Sequence, residues 1–303
     1  MAFEPPQRLV KALGEAYGET VAADWLGRAP SLAQEALERR ELTFERVMAP
    51  GGRSSVVVLV RRADGTQAAL KLVPEEAHPE RERAALAHWN GWGAVRLADD
   101  LLADGPVEPG ALLLERLHCE VSLRSLPEAK ALLEAAGTVR KLWVAPAVGH
   151  PFETVAERTQ RQSEPMREAP SDLLPLVDAA LAARDELVAS SPELLLLHGN
   201  FRQGKVLGGD RTPWLAVGPD PLVGERAYDL ARLVRDRIDD QIATAAGAPA
   251  TRRRVNRLAD SLDVDRERLH GWTLFRAVES GTRAMAAGRR QDGEMLLEFA
   301  SWL

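Results

Sequence analysis

Residues 194–207 read LLLLHGNFRQGKVL, and after a Gly208-Gly209-Asp210 turn residues 213–229 read PWLAVGPDPLVGERAYD. Four consecutive leucines are too few for an ordinary helix, and they run straight into His198, Gly199 and Asn200. A second apolar run returns after the turn. The pattern predicts short buried strands that carry polar residues at their ends. This β-like island is set in a helical background, since helical periodicity is expected over 127–143, 172–190, 225–245, 251–261 and 264–303.

Toward the N-terminus the pattern changes. Residues 6–40 read as helical, with Leu9, Leu13 and Tyr17 at i, i+4 and i+8, and Ser31 with Gln34 suggests a capping box that opens a second helix. Residues 44–73 read as an antiparallel meander: a valine-rich run, a turn centred on Asp64-Gly65, and a return over 68–73. Pro79 and Glu80 open a helix through Glu82, Ala85, Leu86 and Trp89, which Gly91 and Gly93 end. Residues 94–97 and 111–117 are further strand candidates. The expected fold class is α+β in two lobes: a small β-rich N-lobe over 1–117 (helical lead-in 1–43, meander and helix 44–117) and a helical C-lobe over 118–303 with its hairpin at 194–220. A length of 303 residues fits two packed lobes.

Bulk properties narrow the function. A net charge of -6 argues against a partner held through nucleic-acid phosphates. The basic run Arg252, Arg253, Arg254 and Arg257 reads as a solvated helix face. The single cysteine, Cys119, permits no internal disulfide and fits a reducing cytoplasm. No histidine stands at a metal-ligand spacing from another His or Cys. Residues 1–10 hold no apolar signal core, and no apolar run is long enough to span a bilayer. The expectation is a cytoplasmic protein with neither a nucleic-acid nor a membrane partner.

The 194–229 island resembles the active-site hairpin of the aminoglycoside phosphotransferases, a protein-kinase-like family, in the branch of the streptomycin 6-phosphotransferases and hydroxyurea phosphotransferases. That branch reads roughly LxHGDLHxGNVL, a turn, then PWLAIDPKxLVGDPAYDLA. Other segments follow in the same order: MAPGGRSSVVVLVRRADGTQAALKL at 48–72, ERERAALAHWNGWGAVRL at 80–97, GALLLERL at 110–117 and DRERLHGWTLFRAVES at 265–280. The resemblance implies a kinase-like fold in which Lys71 grips nucleotide phosphates and Glu82 holds that lysine. It implies a phosphate-covering loop with Gly51, Gly52 and Ser54, and a strand running to the hinge at Glu115. Read from the residues alone, Lys71 is a strand-end cation, Glu82 one of several glutamates on its helix and the glycine loop equally a plain hairpin turn; the ordered match favours the phosphate-gripping role for Lys71.

Several chemistry-bearing positions of that family pattern are replaced. The catalytic aspartate position is Asn200, whose amide cannot accept a proton as a carboxylate does. The metal-binding asparagine is Lys205, a cation that repels magnesium, and the second metal aspartate is Gly218. A family histidine is Arg202. The family set carries about -2, whereas Asn200, Arg202, Lys205 and Gly218 carry +2. His198, Gly199, Gly204, Gly224, Tyr228 and Asp229 remain as framework. The expectation is therefore a pseudokinase, a non-catalytic protein binding a ligand or a partner enzyme of a biosynthetic or resistance pathway. No metal is expected, and a nucleotide or phosphate would bind without magnesium, with Lys205 in a metal ion's place. The alternative is an active small-molecule O-phosphotransferase of the aminoglycoside or hydroxyurea kinase type, with Asp220 as a displaced metal ligand. Asp220 would face the same side as residue 218 on an extended segment. A third reading is a kinase fold turned to another group transfer. Either enzyme reading implies a small polar metabolite as partner.

Overall fold

The computed structural model describes residues 3–49, 51–98, 110–242 and 247–303. The chain divides into two compact units, Met1–His118 with Gly209–Pro213, and Cys119–Gly208 with Trp214–Leu303.

The first unit opens with helices α1 (Gln7–Tyr17) and α2 (Glu19–Arg39). Gly18, at φ 88°, separates them. The second helix therefore starts well before Ser31, which lies inside it with Pro30. Ser31 and Gln34 are not a cap. A continuous buried stripe of Ala22, Trp25, Ala29, Ala33, Ala36 and Leu37 carries the helix through the proline. Strands β1 (Thr43–Val47), β2 (Val56–Arg61), β3 (Gln67–Leu72) and β4 (Ala111–Glu115) form one antiparallel sheet in that order. Val56, Val58, Val60, Leu70 and Leu72 pack with the α2 stripe as the core of this unit. Helix α3 (Pro79–Trp89) ends at Asn90 and Gly91, both at positive φ. Residues 94–97 are not the expected continuous strand: Ala94 and Leu97 make isolated bridges, Leu97 to Leu114. Pro50, in the glycine-bearing loop, lies outside the described residues.

The second unit holds β5 (His118–Ser122), α4 (Glu128–Val139), β6 (Glu153–Thr154), α5 (Val155–Met166), α6 (Leu174–Ala189), β7 (Leu195–Leu197), β8 (Val206–Gly208), β9 (Trp214–Ala216), β10 (Leu222–Gly224), α7 (Arg226–Val234), α8 (Ile238–Ile242), α9 (Gly247–Leu262), α10 (Arg266–Ala286) and α11 (Arg290–Ser301). Two three-stranded sheets run β6-β10-β7 and β5-β8-β9. The quoted stretch thus contributes to both sheets, and the loop 198–205 joins them. The helix expected over 225–245 breaks at Arg237, φ 56°, and its last residues, 243–245, lie outside the described residues. The one expected over 264–303 breaks at Gly288, φ 71°. Helix α10 is the spine: Leu269, Trp272, Phe275, Ala277 and Val278 are all buried. The architecture is the expected α+β one, a β-sheet unit and a helical unit. No helix among the described residues is long and apolar enough to cross a membrane.

Candidate active site

In the first unit, β3 carries Lys71 and the first turn of α3 carries Glu82. The two form a buried ion pair through Lys71 Nζ and Glu82 Oε2. Glu82 Oε1 is buried without a hydrogen bond. Strand alternation on β3 and the pairing Lys71↔Leu112 fix the lysine. A buried ammonium held by one carboxylate is a fixed positive charge suited to a nucleotide phosphate. Gly51, at φ 69°, and the exposed Gly52 and Ser54 lie between β1 and β2, where Arg53 pairs with Glu15 at 3.2 Å. Glu115, at the end of β4, accepts from the Arg96 N–H at 2.7 Å and pairs with Arg211 at 2.8 Å. Its carboxylate is thereby taken up within the unit.

In the second unit, the loop after β7 is braced from three sides. Asp229 of α7, fully buried, accepts from the backbone N–H of His198 at 2.9 Å and of Gly199 at 2.8 Å, and from Trp143 Nε1 at 3.3 Å. Burial pushes its carboxyl above the ordinary value, against those donors. Arg276 of α10 donates to the carbonyls of Gly199 and Tyr228, both at 2.9 Å, and lies 4.3 Å over the Tyr228 ring. Asp236 accepts from Gln203 N–H at 2.6 Å, and Arg237 Nε donates to Gln203 Oε1 at 2.6 Å. Gly199 has φ 70°, and a Cβ there would run into the Asp220 carbonyl. The turn therefore requires glycine.

His198 is wholly buried, and its Nδ1 accepts from Asn200 N–H at 3.2 Å. Burial first, and Lys205 next, lower its pKa to about 3, so the ring is neutral at ordinary pH. Asn200 Oδ1 is buried without a hydrogen bond. Gly218 has φ 59°, and a Cβ built on it would lie 2.5 Å from Lys205 Nζ. The ammonium thus rests where a side chain at 218 would begin. The guanidinium of Arg202 lies by Gly204, whose Cβ would meet its Nη1 at 3.4 Å.

The left-handed backbone at Gly218 takes the segment out of the extended conformation that would carry Asp220 to the same side. Asp220 is instead clamped. Its backbone N–H donates to the His198 carbonyl at 2.9 Å, and its two carboxylate oxygens accept from Arg158 at 2.8 and 3.1 Å. Arg158 also donates to Glu153 at 2.7 Å. Although Asp220 is half-exposed, Arg158 holds its carboxyl below the ordinary value against the effect of desolvation. Arg158, on α5, went unread in the sequence, yet Thr154 and Glu157 form the capping box that signals that helix.

A divalent metal of the kind nucleotide kinases employ needs hard oxygen donors. Here the two ligand positions are an ammonium and a glycine, and Asp220 is engaged by Arg158. Among the described residues no group of three His, Cys, Asp or Glu side chains is placed to hold a metal. The residues of this loop do not fit the ion. A phosphate fits the cations better.

Residues 40–288 match the family described as aminoglycoside/hydroxyurea antibiotic resistance kinase. The chain is 33% identical over 305 residues to streptomycin 6-kinase of Streptomyces glaucescens, covering 98% of this chain and 94% of that protein. It is 32% identical over 292 residues to hydroxyurea phosphotransferase of Kitasatospora aureofaciens, covering 93% and 79%. Among solved structures, aminoglycoside phosphotransferase APH(4)-Ia superposes with a TM-score of 0.63 over 90% of this chain and 97% of that one, at 16% identity. That likeness establishes the fold. These relatives overturn the expectation of a non-catalytic pseudokinase: proteins alike over nearly the whole chain are named as kinases and phosphotransferases. The replaced positions then mark an altered transfer loop within an enzyme family. By the match over 40–288 and the near full-length likeness to its named relatives, the chain belongs to the aminoglycoside/hydroxyurea antibiotic resistance kinase family.

Proposed function

We propose that this protein is a small-molecule O-phosphotransferase that moves a phosphoryl group from a nucleotide to a hydroxyl of a small polar compound. In this reading the Lys205 ammonium supplies positive charge in the transfer loop. The observation that carries it is the seat of Lys205 against Gly218, inside a loop still held by Asp229 and Arg276. Phosphoryl transfer rests mainly on positioning and charge stabilisation, through a loose transition state with negative charge spread over the phosphoryl oxygens. A fixed cation serves that charge. The acceptor oxygen forms the new O–P bond as the bond from phosphorus to the leaving phosphate breaks. The hydroxyl proton passes to solvent, because the Asn200 amide cannot take it. Lys71, anchored by Glu82, is assigned to the nucleotide phosphates.

The relatives' names supply the first acceptors to try. Purified protein is incubated with ATP and streptomycin, hydroxyurea, sugar alcohols or sugar phosphates, and phosphorylated product is read by mass spectrometry. Acceptor-dependent ADP release, lost in Lys205→Ala, is the expected result. ATP left intact with every acceptor would refute the reading.

A further inference from the structure

Arg232 is the outlier of the second unit. It lies one turn beyond Tyr228 and Asp229 on α7, the helix that braces the transfer loop. It is half-buried and makes no hydrogen bond or ion pair among the described residues, and its Nε is wholly buried. Other cations stand close: Arg235 follows one turn on, and its Nη1 donates to the Arg276 carbonyl at 2.6 Å. Burial first, then Arg235, Arg276, Arg202 and Arg283, hold its pKa well below the arginine value. The acids nearby are committed elsewhere. Asp220 is on Arg158, Glu279 is on Arg283 at 2.8 Å, Asp229 is on the loop N–H groups and Asp236 is on Gln203 N–H. Helix α7 borders the loop here, since Asp229, one turn before Arg232, accepts from the His198 and Gly199 N–H groups. A half-buried guanidinium with no counter-charge among the described residues is costly to fold, and its unsatisfied, buried Nε marks a missing partner.

We infer that Arg232 forms an anion subsite beside the transfer loop that takes a phosphate or carboxylate group of the acceptor. The acceptor class is then a hydroxyl compound that already bears an anionic group, and not a polycation. This rests on the phosphotransferase reading and narrows its substrate. Guanidinium nitrogens match phosphate and carboxylate oxygens in pairs, which adds orientation to charge.

The test is thermal unfolding at constant ionic strength with glucose 6-phosphate, glucose, inorganic phosphate and streptomycin, on wild type, Arg232→Met and Arg232→Lys. Glucose 6-phosphate is expected to raise Tm in wild type and Arg232→Lys but not in Arg232→Met, while glucose and streptomycin leave it unchanged. Without anion, Arg232→Met is expected to melt about 2 °C higher than wild type, the opposite of losing a structural arginine. A lower Tm for Arg232→Met together with an undiminished glucose 6-phosphate shift would overturn the subsite. A shift from inorganic phosphate alone would overturn its assignment to the acceptor. Turnover assays separate the two readings. If streptomycin is phosphorylated with a KM unaffected by Arg232→Met, the subsite fails and the phosphotransferase stands. If the shift needs Arg232 but nothing is phosphorylated, the phosphotransferase fails and the subsite stands.

Discussion

Placing a methyl group on Gly218 tests the altered loop at its tightest point. Two costs arise in Gly218→Ala. The backbone sits at φ 59°, where an L-residue loses about 1–2 kcal/mol. The new Cβ would stand 2.5 Å from Lys205 Nζ, so the ammonium must retreat by roughly 1 Å to reach an ordinary contact. Because the head of a lysine is flexible, that retreat adds only about 0.5–1 kcal/mol. The single variant is expected to lose about 1.5–3 kcal/mol in urea unfolding, and roughly 2 °C of Tm for each kcal/mol in a chain of this size. In a Lys205→Ala background only the backbone cost remains. A double-mutant cycle is therefore expected to show a coupling of about 0.5–1 kcal/mol between positions 205 and 218. Additivity to within about 0.3 kcal/mol would show that the ammonium does not rest on Gly218, and the reasoning about the loop would fail.

Other perturbations reach the supporting structure. Glu82→Gln leaves Lys71 a buried unpaired cation and is expected to cost about 3 kcal/mol in urea unfolding, with weaker nucleotide binding by calorimetry; an unchanged midpoint would contradict the pair. Asp229→Ala strips the N–H groups of His198 and Gly199 of their acceptor and is expected to cost about 2–4 kcal/mol and to speed hydrogen exchange at both amides; native protection there would contradict the brace. His198 has a folded pKa of about 3, far below the ordinary histidine value, so the unfolded chain takes up a proton that the folded chain refuses. Stability contributed by the neutral ring is complete above about pH 6.5 and drains away as pH falls toward 3, at about 1 kcal/mol per pH unit. Wild type is expected to lose that much more than His198→Asn between pH 6.5 and 4.5; parallel curves would contradict a buried neutral ring.

The sequence made some of this fold legible and hid the rest for physical reasons. The meander and α3 were readable because Asp64-Gly65, Pro79 and Gly91 are local signals that act within a turn of where they stand. Ser31 misled because a cap pattern is overridden when a buried alanine stripe runs through it. The break at Arg237 was not visible, since a non-glycine residue at positive φ has no composition signal. In the site, the motif order placed Lys71, Glu82, His198, Asn200, Lys205 and Gly218 on the elements where they are found. What braces them was not visible: Arg158 reaches Asp220 across 62 positions and Arg276 reaches Gly199 across 77. Such contacts are created by the packing of α5, α7 and α10. Asp220 was misplaced by assuming extended backbone at a glycine that adopts the left-handed region.

In the proposed phosphotransferase, a lysine ammonium stands in for a metal ion in the transfer loop. This replacement is tested most directly by the rate of phosphoryl transfer to a turned-over acceptor, measured in excess EDTA and in excess magnesium. Transfer that persists in EDTA and collapses in Lys205→Ala is the expected result. Transfer seen only with magnesium and indifferent to Lys205, or no transfer in either buffer, would contradict it.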